Sequence, residues 1–383
     1  PEVTMVCGGE HISACPKFSM EDCPEIDICV LGEGEETSID ILKTIEQKKS
    51  LSKVNCIVYR SDEEIIINPK RSRISQLDDI PLPAWDLFPL ENYLSNNLGY
   101  GVNPGRTMPM LISRGCPFQC TFCSSPQMWT TKWQARDPDC VIEEMQFYID
   151  KYKATNFDFY DLTAIVKKSW IIEFCNEVIS RNLNITWQLP SGTRSEAIDN
   201  EVTPLLYKSG CRNMAYAPES GSERMLASIK KKVKLPKMVK SLKSSVREGI
   251  NVKINIIIGF PDETHKEMLE TLRFVLDAAF MGVSDVYLAS FAPYPGSELF
   301  DQMYENGQIP KLDDEYFLNL TSYTDLLHSY SYSRHVGHRM LSVYRIGGMS
   351  MFYILNFVLR PKRIFRLFSN VKNKKEEIKK EKN

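Results

Sequence analysis

From about residue 108 onward, short apolar runs alternate with longer segments whose apolar residues recur at helical spacing. The apolar runs predict strands at 110–113, 156–160, 185–189, 213–217, 253–258 and 285–290. The helical segments are 140–153, 169–181, 203–209, 235–248, 266–279 and 297–306. Each crossover has room for a right-handed βαβ unit, so the pattern predicts six parallel strands. Six βα units form a partial barrel, two units short of a closed one.

The residues before this array have a shorter α/β pattern. Apolar runs at 3–6, 26–31 and 54–59 predict strands, with glycine turns and an amphipathic helix at 37–48 between them. This is typical of the second half of a doubly wound domain, and we expect the intact protein to extend further towards its N-terminus. The predicted organisation is a half-domain at 1–67, a proline-rich linker at 68–107, a (β/α)6 core at 108–310 and a helical extension with a basic tail at 311–383.

Composition narrows the class of protein. The chain has 383 residues, 43% of them hydrophobic, and a net charge of −2 gives no electrostatic reason to expect a nucleic-acid partner. Eleven cysteines without a regular pairing pattern indicate a reducing cytoplasm. From Arg360 on, the chain has ten Lys or Arg and three Glu, which gives this tail a net charge of +7. The tail directly follows the apolar run 349–359. Such a tail can contact an anionic membrane surface peripherally, but most segments of this kind are docking helices with a solvated face.

The candidate chemistry begins with Cys116, Cys120 and Cys123, which directly follow the first predicted strand of the array. Loops at the carboxyl ends of strands hold the ligand sites of α/β folds. Soft thiolates select zinc or an iron-sulfur cluster, and a structural zinc site needs a fourth ligand that no nearby Cys or His supplies at finger-like spacing. Three thiolates on a cluster leave one iron open to the amino and carboxylate groups of a substrate.

With Phe122 before its last cysteine, the motif C-x3-C-x2-C resembles that of the radical S-adenosylmethionine (SAM) superfamily. The resemblance implies a 4Fe-4S cluster that cleaves SAM to methionine and a 5′-deoxyadenosyl radical. It also implies an electron donor such as ferredoxin or flavodoxin. The alternative is that the cysteines are structural, either buried or bound to zinc in a non-catalytic protein.

The same resemblance extends to later strand ends. It implies that Asp161 lies near the methionine amino group, that Arg194 clamps the carboxylate and that Gly259 lets adenine approach. It further implies that Glu219 and Ser220, in an E-S-G-S segment, approach the ribose or methionine moiety. Structural alternatives stay open: a turn or helix-cap role for Asp161, a surface charge for Arg194, and a buried strand before a proline turn around Gly259.

The N-terminal glycine turns resemble the late part of a flavodoxin-like cobalamin-binding domain. Gly8, Gly9, Gly32 and Gly34 would let the backbone approach the corrin nucleotide tail. The earlier D-x-H-x-x-G segment of such domains is absent, and His11 does not match its cobalt ligand. The resemblance therefore implies cobalamin in the intact protein.

The predicted function is a cobalamin-class radical SAM enzyme that methylates or cyclises an unactivated carbon. Within the superfamily, the chain resembles the anaerobic magnesium-protoporphyrin IX monomethyl ester cyclase type and related C-methyltransferases. The implied substrate is a small molecule, for example a tetrapyrrole, a lipid or a natural product. A methylthiotransferase is the alternative enzyme, but we see neither its N-terminal three-cysteine cluster domain nor its C-terminal RNA-binding barrel.

Overall fold

The alternation of strands and helices that the hydrophobic pattern predicts is present in the structure, a computed structural model. It describes residues 3–62, 64–99, 101, 105–326 and 329–364. The chain divides into two compact units. The first consists of Pro1–Ser191, Ile229–Lys232 and Ala292–Leu320, and the second of Gly192–Ser228, Val233–Phe291 and Thr321–Asn383.

The elements of the described residues are numbered along the chain. The strands are β1 (Val6–Cys7), β2 (Ile28–Val30), β3 (Ile57–Ser61), β4 (Glu64–Ile67), β5 (Thr107–Met110), β6 (Ser113–Arg114), β7 (Gln134–Ala135), β8 (Asn156–Phe159), β9 (Thr186–Thr193), β10 (Cys211–Glu219), β11 (Asn251–Ile258) and β12 (Asp285–Ser290). The helices are α1 (Glu10–Ala14), α2 (Pro16–Asp22), α3 (Glu35–Glu46), α4 (Leu90–Ser95), α5 (Ser125–Trp129), α6 (Pro138–Tyr152), α7 (Lys168–Ser180), α8 (Val202–Lys208), α9 (Glu223–Ser228), α10 (Leu235–Arg247), α11 (His265–Met281), α12 (Glu298–Glu305), α13 (Asp314–Leu320) and α14 (His338–Leu359).

The N-terminal sheet has the order β1-β2-β3-β4. β1 and β2 are parallel, as a doubly wound domain requires, whereas β3 pairs antiparallel with β2 and forms a hairpin with β4. The sequence pattern did not predict β4, because its apolar run at 65–67 directly precedes the linker. It also placed β1 at 3–6, although the parallel register joins Val6 to Ile28 and Cys7 to Cys29.

The six parallel strands of the predicted array are all present. In the first unit, β8 lies between β5 and β9, and Pro109, Asp158 and Gln188 are register partners. In the second unit, β11 lies between β10 and β12. The prediction placed the first strand at 110–113, whereas β5 ends at Met110 and the next two-residue strand pairs with β7. The pairing of β5 with β8 sets this boundary, and hydrophobic periodicity alone does not reveal it.

Local signals explain where several helices begin and end. Thr264 and Glu267 form a reciprocal capping box at the start of α11, and Gly282 ends that helix with φ +96°. Asp137 caps α6 by accepting a hydrogen bond from the backbone N–H of Asp139. These signals agree with the predicted periodicity, so the helix boundaries differ from the predicted ones by only a few residues.

The C-terminal helix α14 docks in the second unit through a buried arginine. Arg345 is fully buried and donates to the carbonyl oxygens of Leu288 (3.0 Å), Ser322 (3.1 Å) and Asp325 (2.9 Å). The helix therefore packs against the fold, as a docking helix does. Within the described residues, none of the helices has both the length and the apolar character needed to cross a membrane. The Lys- and Glu-rich run from Lys372 lies outside the described residues.

Candidate active site

The three cysteines of the motif lie in a loop of the first unit between β6 and α5. Because β6 pairs antiparallel with β7, the segment that contains this loop and α5 begins and ends at the same pair of strands. Gly115 opens it with φ +82°, and a Cβ atom there would stand 2.4 Å from the carbonyl oxygen of Lys132. Because the backbone at residue 115 packs directly against the backbone of Lys132, only glycine fits immediately before Cys116.

Main-chain hydrogen bonds hold the middle of the loop. The N–H of Thr121 donates to the carbonyl oxygen of Ile229 at 3.1 Å, and the carbonyl of Thr121 accepts from the N–H of Leu299 at 2.8 Å. Within the loop, the N–H of Cys123 donates to the carbonyl of Cys120 at 3.1 Å. The sulfur-bearing segment is thus pinned at its centre.

The surroundings of Cys123 favour its protonated thiol. The pKa of Cys123 is raised to about 11, mainly by burial and also by the neighbouring thiols of Cys120 and Cys116, while a backbone hydrogen bond at Ser125 and the charge of Lys231 oppose the shift. A thiol with this pKa is protonated at neutral pH in the metal-free protein. A bound metal centre replaces that proton because its positive charge stabilises the thiolate.

The donor set is three soft sulfur atoms in one short loop. Among the residues that the structure describes, no three His, Cys, Asp or Glu side chains are gathered closely enough to hold a single metal ion. An iron-sulfur cluster is larger than one ion and takes thiolate ligands, so the chemistry of the donors fits it.

Asp161 supports the strand that leads into the cysteine loop. Its carboxylate is almost fully buried and accepts from the backbone N–H of Ile112 at 3.2 Å and the hydroxyl of Ser113 at 2.5 Å. Burial raises the pKa of Asp161 to about 6. The residue does not cap a helix, since α7 begins after Lys167. The hydroxyl of Thr163, two residues on, lies 3.4 Å from the sulfur of Cys116.

In the second unit, the predicted residue Glu219 ends β10 in a strained conformation. Its φ is +68°, its side chain is buried, and the strand register shifts between Tyr216 and Glu219. Left-handed backbone at a non-glycine residue costs on the order of 1 kcal/mol and is frequent at functional sites. Ser220 is fully buried, and its hydroxyl bonds to that of Thr271 at 3.0 Å. This contact joins the end of β10 to α11.

Arg194 is a buried side chain, so the alternative of a surface charge is wrong. Its guanidinium pairs with Glu196 at 2.7 Å, and only 6% of its side chain is exposed. An arginine this buried needs a compensating carboxylate, and Glu196 provides one.

Gly259 takes φ +89° directly after β11. On the side where a Cβ would stand, the methyl groups of Leu341 from α14 lie 3.0 and 3.1 Å away. The backbone N–H groups of Gly259 and Phe260 donate to one carboxylate oxygen of Glu263, at 2.6 and 3.2 Å. Burial raises the pKa of Glu263 to about 7.

The N-terminal glycines differ in how far their backbone requires glycine. Gly9 has φ +103° with open space around it, and Gly32 has φ +69°. Gly8 and Gly34 have ordinary φ values and room for a Cβ atom. Their approach to a corrin nucleotide tail stays a prediction.

The predicted site residues are divided between the two units. The first unit contains Gly8, Gly9, Gly32, Gly34, Cys116, Cys120, Phe122, Cys123 and Asp161, and the second unit contains Arg194, Glu219, Ser220 and Gly259.

Comparison with known sequences identifies a domain in this chain. The sequence model of the radical SAM superfamily matches residues 110–275, which include the cysteine loop and five of the six predicted strands of the array. This chain contains a radical SAM domain. The predicted superfamily is thereby confirmed.

The curated relatives include named enzymes. An uncharacterized methyltransferase of Pyrococcus horikoshii is 29% identical over 304 residues, which cover 79% of this chain and 64% of the relative. The anaerobic magnesium-protoporphyrin IX monomethyl ester cyclase of Rubrivivax gelatinosus is 25% identical, over 81% of this chain and 55% of the relative. The chain thus spans between about half and two thirds of the length of these relatives.

Among solved structures, the chain is similar to TsrM from Kitasatospora setae, a radical SAM methyltransferase with cobalamin and a 4Fe-4S cluster bound. The TM-score is 0.65 at 15% identity, and the alignment covers 82% of this chain and 59% of TsrM. A likeness at this level of identity concerns the fold. It confirms the predicted α/β fold class.

Sequence reasoning missed a charged network beside the radical SAM domain's cysteine loop. Glu33, from the second glycine turn, has a 7% exposed side chain and pairs with Arg114 at 3.1 Å and with Arg73 at 3.5 Å. Arg114 also pairs with Glu35. The guanidinium groups of Arg73 and Arg114 lie over the ring of Trp129, at 5.5 and 5.8 Å from its centroid. The partners are far apart along the chain, so no local pattern could have revealed them.

Proposed function

We propose that the protein is a cobalamin-dependent radical SAM enzyme that methylates or cyclises an unactivated carbon of a small molecule. The observation that carries the proposal is the loop holding Cys116, Cys120 and Cys123, which lies within the segment matched to the radical SAM superfamily. The names of the relatives, a methyltransferase and a cyclase, support the reaction class.

In this proposal, the thiolates of Cys116, Cys120 and Cys123 hold a 4Fe-4S cluster. When bound, the cluster supplies the electron that cleaves SAM to methionine and a 5′-deoxyadenosyl radical. Gly115 and Asp161 position the loop, through its packing on Lys132 and through hydrogen bonds to the strand before it.

Glu219 and Arg194 are the proposed SAM contacts of the second unit. Both side chains are buried and ionisable, and Glu219 has a left-handed backbone conformation, which is frequent at functional sites. Ser220 and Gly259 are proposed to shape the same binding surface.

Cobalamin is the second proposed cofactor. The fold shared with TsrM, which has cobalamin bound, supports it, as do the positive φ angles of Gly9 and Gly32 in the two N-terminal turns. Two readings compete with the proposal, a methylthiotransferase-like radical SAM enzyme and a non-catalytic zinc protein. Anaerobic reconstitution with iron and sulfide separates the zinc protein from both enzymes. We expect a brown chromophore with about four iron atoms per chain, and stoichiometric colourless zinc would contradict the radical reading.

Replacing a single cluster ligand tests the proposed chemistry. Cys120→Ala should abolish formation of 5′-deoxyadenosine from SAM, because a cluster with two thiolate ligands is not retained. Its far-ultraviolet circular dichroism should match that of the native protein, since the loop is not part of the core. Cys140→Ala is the matched control, a half-buried cysteine on α6 that should keep both properties. Global unfolding of Cys120→Ala would show that the cysteine is structural.

The proposed partners follow from the chemistry and from α14. Reduction of the cluster needs a one-electron donor, and we propose a ferredoxin or flavodoxin. A cytoplasmic location fits the eleven cysteines of the chain, which show no regular pairing pattern. The exposed apolar side chains Val343, Ile354 and Val358 on α14 support peripheral contact with a membrane. Co-sedimentation with anionic lipid vesicles tests that contact.

A further inference from the structure

Linker residues and the end of β5 line a half-open cavity of about 350 Å³ in the first unit. Its walls include Leu77, Leu82 and Trp85 from the linker and Pro109 and Leu111 from the strand segment. A second cavity of about 190 Å³ shares Trp85, Pro109 and Tyr160 with it, so the two cavities lie next to each other. The size is in the range of small-molecule sites, which are mostly apolar with a few polar groups.

The charged groups at the cavity are neutralised by neighbouring residues. Arg136 pairs with Glu144 and, at 3.0 Å, with Asp78. Arg114 is balanced by the network around Glu33. The walls thus offer an apolar surface without an uncompensated charge. A charged ligand group would lose its hydration here without gaining a partner, so an uncharged group is favoured.

The linker wall is fixed before any ligand arrives. The indole N–H of Trp85 donates to the hydroxyl of Tyr148 at 3.1 Å. The next residue, Asp86, pairs with Lys151 at 2.5 Å and accepts from the hydroxyl of Tyr152 at 3.0 Å. A wall held from α6 in this way forms a site that loses little entropy on binding.

We propose that this cavity binds the hydrocarbon portion of the small-molecule substrate. The inference rests on the proposed function, and the position of the cavity connects the two. Ser113 and Arg114 line the cavity and immediately precede the cysteine loop. Leu82 and Leu111 are 42% and 46% exposed, so an apolar ligand would remove their surface from water.

Binding is measured with phenylnaphthylamine, an uncharged probe whose fluorescence rises in apolar surroundings, and with decanol as competitor. We expect saturable binding of one probe per chain and its displacement by decanol. Leu82→Asn should weaken binding about fivefold, because it removes roughly half the apolar burial of one leucine. Leu87→Asn is the matched control, since this linker leucine is 89% exposed and lines neither cavity. It should change the affinity by less than about twofold.

Non-saturable binding, or an equal effect of the two substitutions, would overturn the inference, because either result describes adsorption to the general surface. Retention of native affinity in Leu82→Asn would place the probe elsewhere and overturn it too. The measurement needs neither cluster nor SAM. Failure of the probe to bind is therefore distinguishable from failure of the radical chemistry, which the iron content and 5′-deoxyadenosine formation report separately.

Discussion

Substitution of Glu33 by glutamine should destabilise the protein much more than an ordinary loss of one surface charge. One carboxylate oxygen of Glu33 lies 3.1 Å from Arg114, and the other accepts from the N–H of Ile74 at 2.9 Å and lies 3.5 Å from Arg73. Glutamine has the same shape, but its NH2 group donates where a guanidinium already donates. Glu33→Gln therefore leaves buried positive charge without compensation.

The exposed fractions set the magnitude. The side chains of Glu33, Arg73 and Arg114 are 7%, 10% and 14% exposed, so their charges are poorly screened by water. Removing one partner of a buried pair costs about 3–5 kcal/mol. Because Arg114 keeps its second partner, Glu35, we expect the lower end, about 3 kcal/mol of the free energy of unfolding. Iron uptake on reconstitution should fall as well, since Arg114 precedes the cysteine loop.

Urea titration followed by tryptophan fluorescence measures the change, with Glu36→Gln as the control. Glu36 is a near neighbour, but its side chain is 60% exposed and its pair with Arg71 lies at the surface. Its loss should cost less than about 1 kcal/mol. Equal costs for the two substitutions would refute the reasoning, because the network would then contribute no more than a surface ion pair.

Two further predictions concern the cysteine loop. The pKa of Asp161, about 6, lies above its ordinary value of 3.8, so its protonated form favours the fold. That contribution is complete below pH 3.8 and is lost as the pH rises through 6. The stability of the native protein relative to Asp161→Asn should thus fall by about 3 kcal/mol between these limits, and a pH-independent difference would contradict the assigned burial. Gly115→Ala should prevent cluster assembly, measured as iron per chain, because its Cβ would collide with Lys132. Gly307→Ala has a similar φ of +77° but open space, so it should cost only about 1–2 kcal/mol and keep the iron.

Much of the fold could be predicted from local patterns. Apolar runs identified all six strands of the array, and helical periodicity placed the ends of the predicted helices within a few positions. The cysteine spacing led to the superfamily because a cluster with one open iron needs three thiolate ligands close together, and three cysteines at this spacing are visible in the sequence. The hairpin strand β4 and the true bounds of β5 were missed, since pairing partners define them.

The sequence by itself determined the presence of the six strands of the array and of the six predicted helices, the cysteine loop and the class of chemistry, because spacing and side-chain type carry that information. Only the tertiary structure decided that Asp161 supports the strand before the loop and that Arg194 is buried with Glu196. The tertiary structure alone showed that Glu33 pairs with Arg114 and that linker residues line an apolar cavity. Burial and pairing arise from residues distant along the chain, and the free energy of each charge depends on which of them surround it.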